Sequence, residues 1–283
     1  MSQDPAKAIK TMKLYTHVER VERELKANGQ ASGPLQPADL VAMDQLHYGG
    51  TQAVDEAIEQ LSIHANDHVL DVGAGLGGPA RHMAHQAGCA VTAVELQPDL
   101  NALGQTLTDR CGLSAQITHH CGDILDTDLP KKRFDAMVSW LTVLHIPHRQ
   151  RLFERCHRAL KTKGRVLIED FYAPKPLDAS TQQTLKQEVA CGYLPSLEDY
   201  KNQLQQAGFE SIELKDMSVE WTDFVTKRLS DYRRLAPGFI ERHGQGTFDA
   251  LDGFYGTIVD LFKGGLIGGL RIQAVAAPLS GKA

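Results

Sequence analysis

The stretch Val69-Leu70-Asp71-Val72-Gly73-Ala74-Gly75-Leu76-Gly77-Gly78-Pro79-Ala80-Arg81 decides how this chain is read. An apolar strand pattern runs into a glycine-rich turn, and Pro79 marks the first turn of a helix. Glycine has no side chain to block a ligand, so such a turn brings backbone amides close to one. The next apolar run, 90–94, is followed by Glu95. An acid at the tip of a second strand can accept hydrogen bonds from both hydroxyls of a ribose. Glycine turn, helix, strand and acid form the layout of a nucleoside-cofactor site.

Outward from this stretch the pattern alternates. Strands are predicted at 68–72, 90–94, 116–119, 134–140, 165–169, 209–216 and 270–276. Helices are predicted at 79–86, from Pro98 to near Cys111, and at 149–160 and 196–207. Repeated βα units predict an α/β, doubly wound sheet with helices on both faces. Ahead of it, 5–28 reads as a helix ending near Asn28-Gly29, and 51–61 as another with Thr51 as its cap. A polar, amphipathic stretch at 222–262 interrupts the pattern before the last strand. The expected division is an N-terminal helical lid at 1–62, a core at 63–220 and 264–283, and a helical cap at 221–263.

Bulk properties narrow the classes. The 283 residues carry a net charge of −5 with histidines neutral, which argues against a nucleic-acid surface. The densest basic patches, Lys131-Lys132-Arg133 and Arg233-Arg234, read first as solvated faces. Cys89, Cys111, Cys121, Cys156 and Cys191 are widely spaced, with no zinc-ligand spacing among them, so free thiols and no metal are expected. The N-terminus is polar, and no signal peptide is expected. The apolar tail at 257–278 is broken by Lys263, Arg271 and glycines, so no membrane span is expected. A cytoplasmic protein, monomer or homodimer, acting on a small molecule is the resulting expectation.

The glycines at 73, 75 and 78 nearly match the dinucleotide fingerprint, so the turn alone leaves the nucleoside open. Asp71 lies inside the strand before the turn. A carboxylate there suits a cation or an amino group and would repel a pyrophosphate. Gly122-Asp123-Ile124 follows the third strand, where an acid can take an adenine amino group and the apolar neighbour can pack its ring. These acids favour S-adenosylmethionine over NAD or FAD.

Residues 67–171 resemble a class I methyltransferase with its Rossmann-like seven-stranded sheet. Val69-Leu70-Asp71-Val72-Gly73-Ala74-Gly75 is similar to the first motif of that family, Glu95 to its ribose ligand and Asp123-Ile124 to its adenine-contacting pair. Phe134-Asp135-Ala136-Met137-Val138-Ser139-Trp140 resembles the fourth-strand motif. Arg158-Ala159-Leu160-Lys161-Thr162-Lys163-Gly164-Arg165 resembles the segment before strand five, with Lys163 at a usual glycine or proline. Asp44-Gln45-Leu46-His47-Tyr48-Gly49-Gly50, the Gly-Gly-Pro-Ala-Arg turn and Val143-Leu144-His145 are similar to the sarcosine/dimethylglycine N-methyltransferase group. Phosphoethanolamine, tocopherol and sterol methyltransferases share parts of this pattern.

The resemblance implies a cofactor pocket of Asp71, Gly73, Ala74, Gly75, Gly77, Glu95, Leu96, Asp123, Ile124, Trp140 and Leu141. Open α/β sheets bind ligands at the carboxyl ends of their strands, so His145, Glu169 and Tyr172 are the candidates on the catalytic side. His145 is expected as a base or as a donor that orients the acceptor. Tyr15, His47 and Tyr48 are expected in a lid, with Tyr193, Trp221, Arg233 and Arg234 available to an acceptor. An arginine there could clamp a carboxylate. The expected reaction is methyl transfer to a small amine such as a glycine derivative. The alternatives are carbon or oxygen methylation of an apolar acceptor such as a prenyl quinone or a sterol, and a non-catalytic cofactor-binding protein.

Overall fold

The computed structural model describes residues 18–278. Its elements run α1 (Arg20–Ala27), α2 (Pro37–Asp44), α3 (Gly50–Gln60), β1 (His68–Val72), α4 (Gly78–Ala87), β2 (Ala90–Glu95), α5 (Pro98–Arg110), β3 (Ile117–Cys121) and β4 (Phe134–Trp140). A short 3-10 turn (Val143–His145) precedes α6 (Arg149–Ala159), β5 (Leu160–Tyr172), α7 (Ala179–Glu188), α8 (Leu197–Gln206) and β6 (Phe209–Asp216). Then α9 (Ser218–Arg234), α10 (Ala236–His243) and α11 (Gln245–Lys263) lead to β7 (Gly268–Ala276). Seven strands make one sheet in the order β3-β2-β1-β4-β5-β7-β6. This is the Rossmann-like α/β fold of the class I methyltransferases, with a helical insertion before the last strand.

β1 pairs in parallel with β2 on one side and β4 on the other. The chain therefore reverses its winding at β1, and the crevice of an open sheet forms at such a reversal. Register brings the carboxyl ends together: Val72 lies opposite Val94, Glu95 opposite Cys121 and Trp140 opposite Glu169. The central strands are apolar nearly throughout because helices cover both faces. Val69, Val91, Ala93, Ala136, Val138 and Leu167 from the sheet pack with Val54 and Ala57 of α3 and with Ala80, Met83 and Ala84 of α4.

Three local differences from the sequence expectation have physical causes. α2 and α7 bury too few side chains to show a helical stripe; α7 buries Thr181 and Leu185 and starts from Asp178, which accepts the Thr181 N–H at 2.7 Å. α3 starts at Gly50 instead of from a Thr51 cap, because Gly49 takes the left-handed cap conformation (φ 76°). β5 begins directly after α6: Leu160 pairs with Phe134, the register shifts, and pairing resumes at Arg165 opposite Ala136. Lys163 sits in that shift at φ 62°, a conformation that glycine adopts without strain.

The chain divides into two compact units. One comprises 33–170, 197–215 and the segment from Arg271, and it holds most of the sheet. The other comprises residues up to Ser32, 171–196 and 216–270. In that second unit, Trp221 packs edge-on against Phe171 and Phe262. Tyr232 stacks on Phe248 with centroids 4.8 Å apart. Glu24 of α1 accepts from His243 at 2.6 Å and from Arg242 at 2.9 Å, tying α1 to α10. Among the described residues no helix is long and apolar enough to cross a membrane, and no cluster of acids, histidines or cysteines could hold a metal.

Candidate active site

The glycine turn is held from beneath. The N–H groups of Gly73 and Ala74 donate to the Val94 carbonyl at 2.9 and 3.0 Å. Gly73 is left-handed (φ 76°), and any Cβ there would overlap the Thr142 side chain. Its lack of a side chain therefore serves both conformation and close approach. Thr142 Oγ1 donates to the Gly73 carbonyl at 3.3 Å, joining the turn to the segment after β4. Glu95 accepts the Gly75 N–H on one oxygen at 2.9 Å and the Gln97 N–H on the other at 2.8 Å. Each carboxylate oxygen keeps a lone pair, so a ribose diol can still be accepted.

Asp71 has no such support. It is 1% exposed, and its Oδ2 has no hydrogen-bond partner among the described residues. Burial first, then the charge of Glu95, pushes its carboxyl up to about 7. A buried, unsatisfied carboxylate is costly, and a cation or amino group beside the loop would relieve it. Beyond β3, Gly122 donates to the Glu95 carbonyl at 2.9 Å. Asp123 is half-buried and accepts the Leu125 N–H at 2.8 Å, Ile124 is buried, and Leu96 is half-buried just after Glu95.

The segment from Asp44 to Gly50 lies over the same turn. A Cβ at Gly78 would sit 2.5 Å from the Asp44 carbonyl, and one at Gly75 would sit 3.5 Å from Leu46 Cδ1. Arg81, fully buried, donates to Asp44 at 2.9 Å and to the Leu76, Gly104 and Thr108 oxygens. His47 is 4% exposed, with its ring 5.3 Å from that of Trp140. Its Nε2 donates to the Gly50 carbonyl at 3.1 Å, and burial lowers its pKa to about 4, so the ring is neutral near pH 7. Tyr48 is buried beside it in sequence, and Trp140 Nε1 is a buried donor without a partner among the described residues.

After β4 the chain turns through Leu141 in the left-handed region (φ 51°), with its N–H donated to the Glu169 carbonyl at 2.8 Å. A branched residue in that conformation is strained, and such strain concentrates at functional turns. His145 ends the 3-10 turn that follows and is half-buried. Glu169 is 1% exposed and accepts from Arg271 at 2.7 Å, while Arg271 also holds Glu56. Burial pushes the Glu169 carboxyl up to about 7 against the pull of Arg271. Its side chain thus has a cationic partner from β7 already.

The remaining candidates belong to the second unit. Tyr172 donates to Asp216 at 3.0 Å, and its ring occupies the space a Cβ at Gly268 would need. Trp221 covers Gly269. Arg233 clamps Asp252 with bonds of 2.7 and 3.0 Å, Arg234 pairs with Asp231 at 3.2 Å, and Tyr193 is exposed. Tyr15 lies outside the described residues. Sequence reasoning did not single out Thr142, Asp44 or Arg271. Arg81 was visible inside the glycine motif, and only its burial shows that it is the clamp.

Residues 69–164 match the methyltransferase domain family. Phosphoethanolamine N-methyltransferase 1 of Arabidopsis thaliana is 27% identical over 226 residues, covering 79% of this chain and 45% of the relative. The glycine/sarcosine/dimethylglycine N-methyltransferase of Actinopolyspora halophila is 31% identical over 170 residues, covering 59% and 30%. Phosphoethanolamine N-methyltransferase 2 of Haemonchus contortus, solved with phosphomonomethylethanolamine and S-adenosylhomocysteine, superposes with a TM-score of 0.83 at 20% identity. That superposition covers 98% of this chain and 61% of that one. The chain thus spans less than half the length of those two curated relatives. Fold and glycine turn have the form of a class I, S-adenosylmethionine-dependent methyltransferase. Within that class the chain resembles the phosphoethanolamine and glycine-derivative N-methyltransferases.

Proposed function

We propose that this chain transfers a methyl group from S-adenosylmethionine to the nitrogen of a small amine. The observation that carries the reading is Asp71, a buried carboxylate with one oxygen unpartnered among the described residues, beneath a glycine turn whose other side is tied to Glu95. That pair suits a ligand with a cationic end and a ribose. When bound, the cofactor supplies a methyl group activated by a sulfonium. The protein's share is then positioning and exclusion of water. Glu95 and the turn hold the ribose end, Asp71 faces the cationic end, Asp123 and Ile124 receive the base, and Trp140 with His47 closes one wall.

An amine attacks only as the free base, so the acceptor must lose a proton if it arrives as an ammonium ion. His145, on the turn after β4, takes that proton or fixes the acceptor's N–H. With the cofactor bound, this chain's part would be to aim the acceptor nitrogen at the activated methyl group and hold it there away from water. The two curated relatives named above are N-methyltransferases of small amines by name, which supports nitrogen as the target. The test is purified protein with labelled cofactor, screened against ethanolamine-type amines, phosphorylated amines and glycine derivatives. Transfer to at least one amine is expected. A folded protein that binds no S-adenosylmethionine by calorimetry would overturn the reading.

A further inference from the structure

The segment between β4 and α6 carries His145 and is anchored along its length. The Leu141 N–H is bound to the Glu169 carbonyl at 2.8 Å, and Thr142 Oγ1 to the Gly73 carbonyl at 3.3 Å. One carboxylate adds two further anchors. Asp170, fully buried at the next position of β5, accepts the Leu144 N–H on Oδ1 at 3.1 Å. Its Oδ2 accepts from Arg149, the first residue of α6, at 3.3 Å. Asp170 thus grips the segment one residue before His145 and again four residues after it.

A charge at 0% exposure is costly unless it is fully hydrogen-bonded. The hydroxyl of Tyr200, on α8, meets that need by donating to Oδ2 at 2.7 Å. Tyr200 is itself fully buried, and the Arg149 guanidinium lies 5.1 Å over its ring. The ring also packs 6.0 Å from Phe153 of α6. A phenol, a guanidinium and a carboxylate thus converge beside one short turn.

We propose that Asp170, held by Tyr200 and Arg149, is a positioning residue that sets where the His145 imidazole stands. This rests on the methyl-transfer reading and adds to it a buried support on β5, two strands from the β1 that leads into the glycine turn. Reacting groups displaced by an ångström can lose about 100-fold in rate, so a loosened turn shows in turnover before it shows in cofactor affinity.

The test is Tyr200→Phe, which removes one hydroxyl and keeps the ring packing. Expected are a fall in kcat of about tenfold, within the range such displacements produce, with calorimetric affinity for S-adenosylmethionine nearly unchanged. The Cε1–H resonance of His145 should also move. If the variant does not fold, Arg149→Lys, which keeps the charge and loses the fork, is read in the same way. Wild-type turnover with an unmoved resonance would overturn the proposal. So would equal losses in turnover and cofactor affinity, which mean general loosening. If the wild-type chain transfers no methyl group to any amine, the functional reading fails, and the His145 resonance alone still decides whether the support positions the turn.

Discussion

At the scale of single residues, Asp71 sets a pH dependence whose sign follows from its surroundings. Its carboxyl moves from an ordinary 3.8 up to about 7 in the folded chain. Between those values the unfolded chain has lost this proton and the folded chain has kept it, so Asp71 makes the ligand-free protein less stable as pH rises from about 4 to about 7. A cationic ligand favours the carboxylate. Binding therefore expels a proton below about pH 7, and affinity for S-adenosylmethionine climbs with pH and then levels. Asp71→Asn should abolish the climb and weaken binding at pH 8 about 10- to 100-fold, the worth of a charge-assisted hydrogen bond of about 1.5–3 kcal/mol. Calorimetry in buffers of different protonation enthalpy counts the proton. Unchanged release in the variant would assign it to another carboxyl, Glu169 being the first candidate. Asp71, Glu95 and the glycines were legible because they lie within a local pattern. Asp44 with Arg81, 37 residues apart, and Tyr200 with Asp170, 30 apart, were not, because tertiary contact alone joins them.

At the scale of elements, an ion pair reinforces the backbone pairing of β5 with β7. Arg271 of β7 is 4% exposed and faces Glu169 of β5, with Glu56 of α3 as a second, more exposed partner. Arg271→Met leaves Glu169 buried without its cation and should cost about 3–5 kcal/mol, measured by denaturant unfolding. Adding Glu169→Leu should recover most of that loss, since a buried pair is often replaceable by apolar side chains. A double variant no more stable than the single one would show that the pair is not the source. The strands and most helices of the first unit were legible because periodicity dictates them. α2 was not, since it buries only Pro37, Leu40 and Asp44. The early start of β5 was hidden as well: Lys163 occupies a left-handed position where glycine is the usual signal.

At the scale of the whole molecule, the chain crosses between its two units five times, at 32/33, 170/171, 196/197, 215/216 and 270/271. The glycine turn, Asp71, Glu95, Trp140 and Asp170 all lie in one of them. A ligand that binds only the folded form stabilises it by mass action, by about 2.7 kcal/mol at 100 times its Kd. For a chain of this size that is a rise in melting temperature of about 5 °C. S-adenosylhomocysteine should produce this shift and NAD none, as read by a thermal-shift assay. A shift with NAD alone would return the glycine turn to the dinucleotide reading. β7 gives the sheet a further consequence. It is the last of the seven strands along the chain, yet it lies between β5 and β6. On the ribosome, every nascent chain passes through a stage in which β5 and β6 are made and the strand that joins them is not. Until Gly268–Ala276 emerges, β5 has one unpaired edge and β6, whose one neighbour in the sheet is β7, has no strand partner, and such edges invite pairing with other chains. The yield of this protein in a cell is therefore sensitive to pauses in translation between β6 and β7, and to the chaperones that shield the gap.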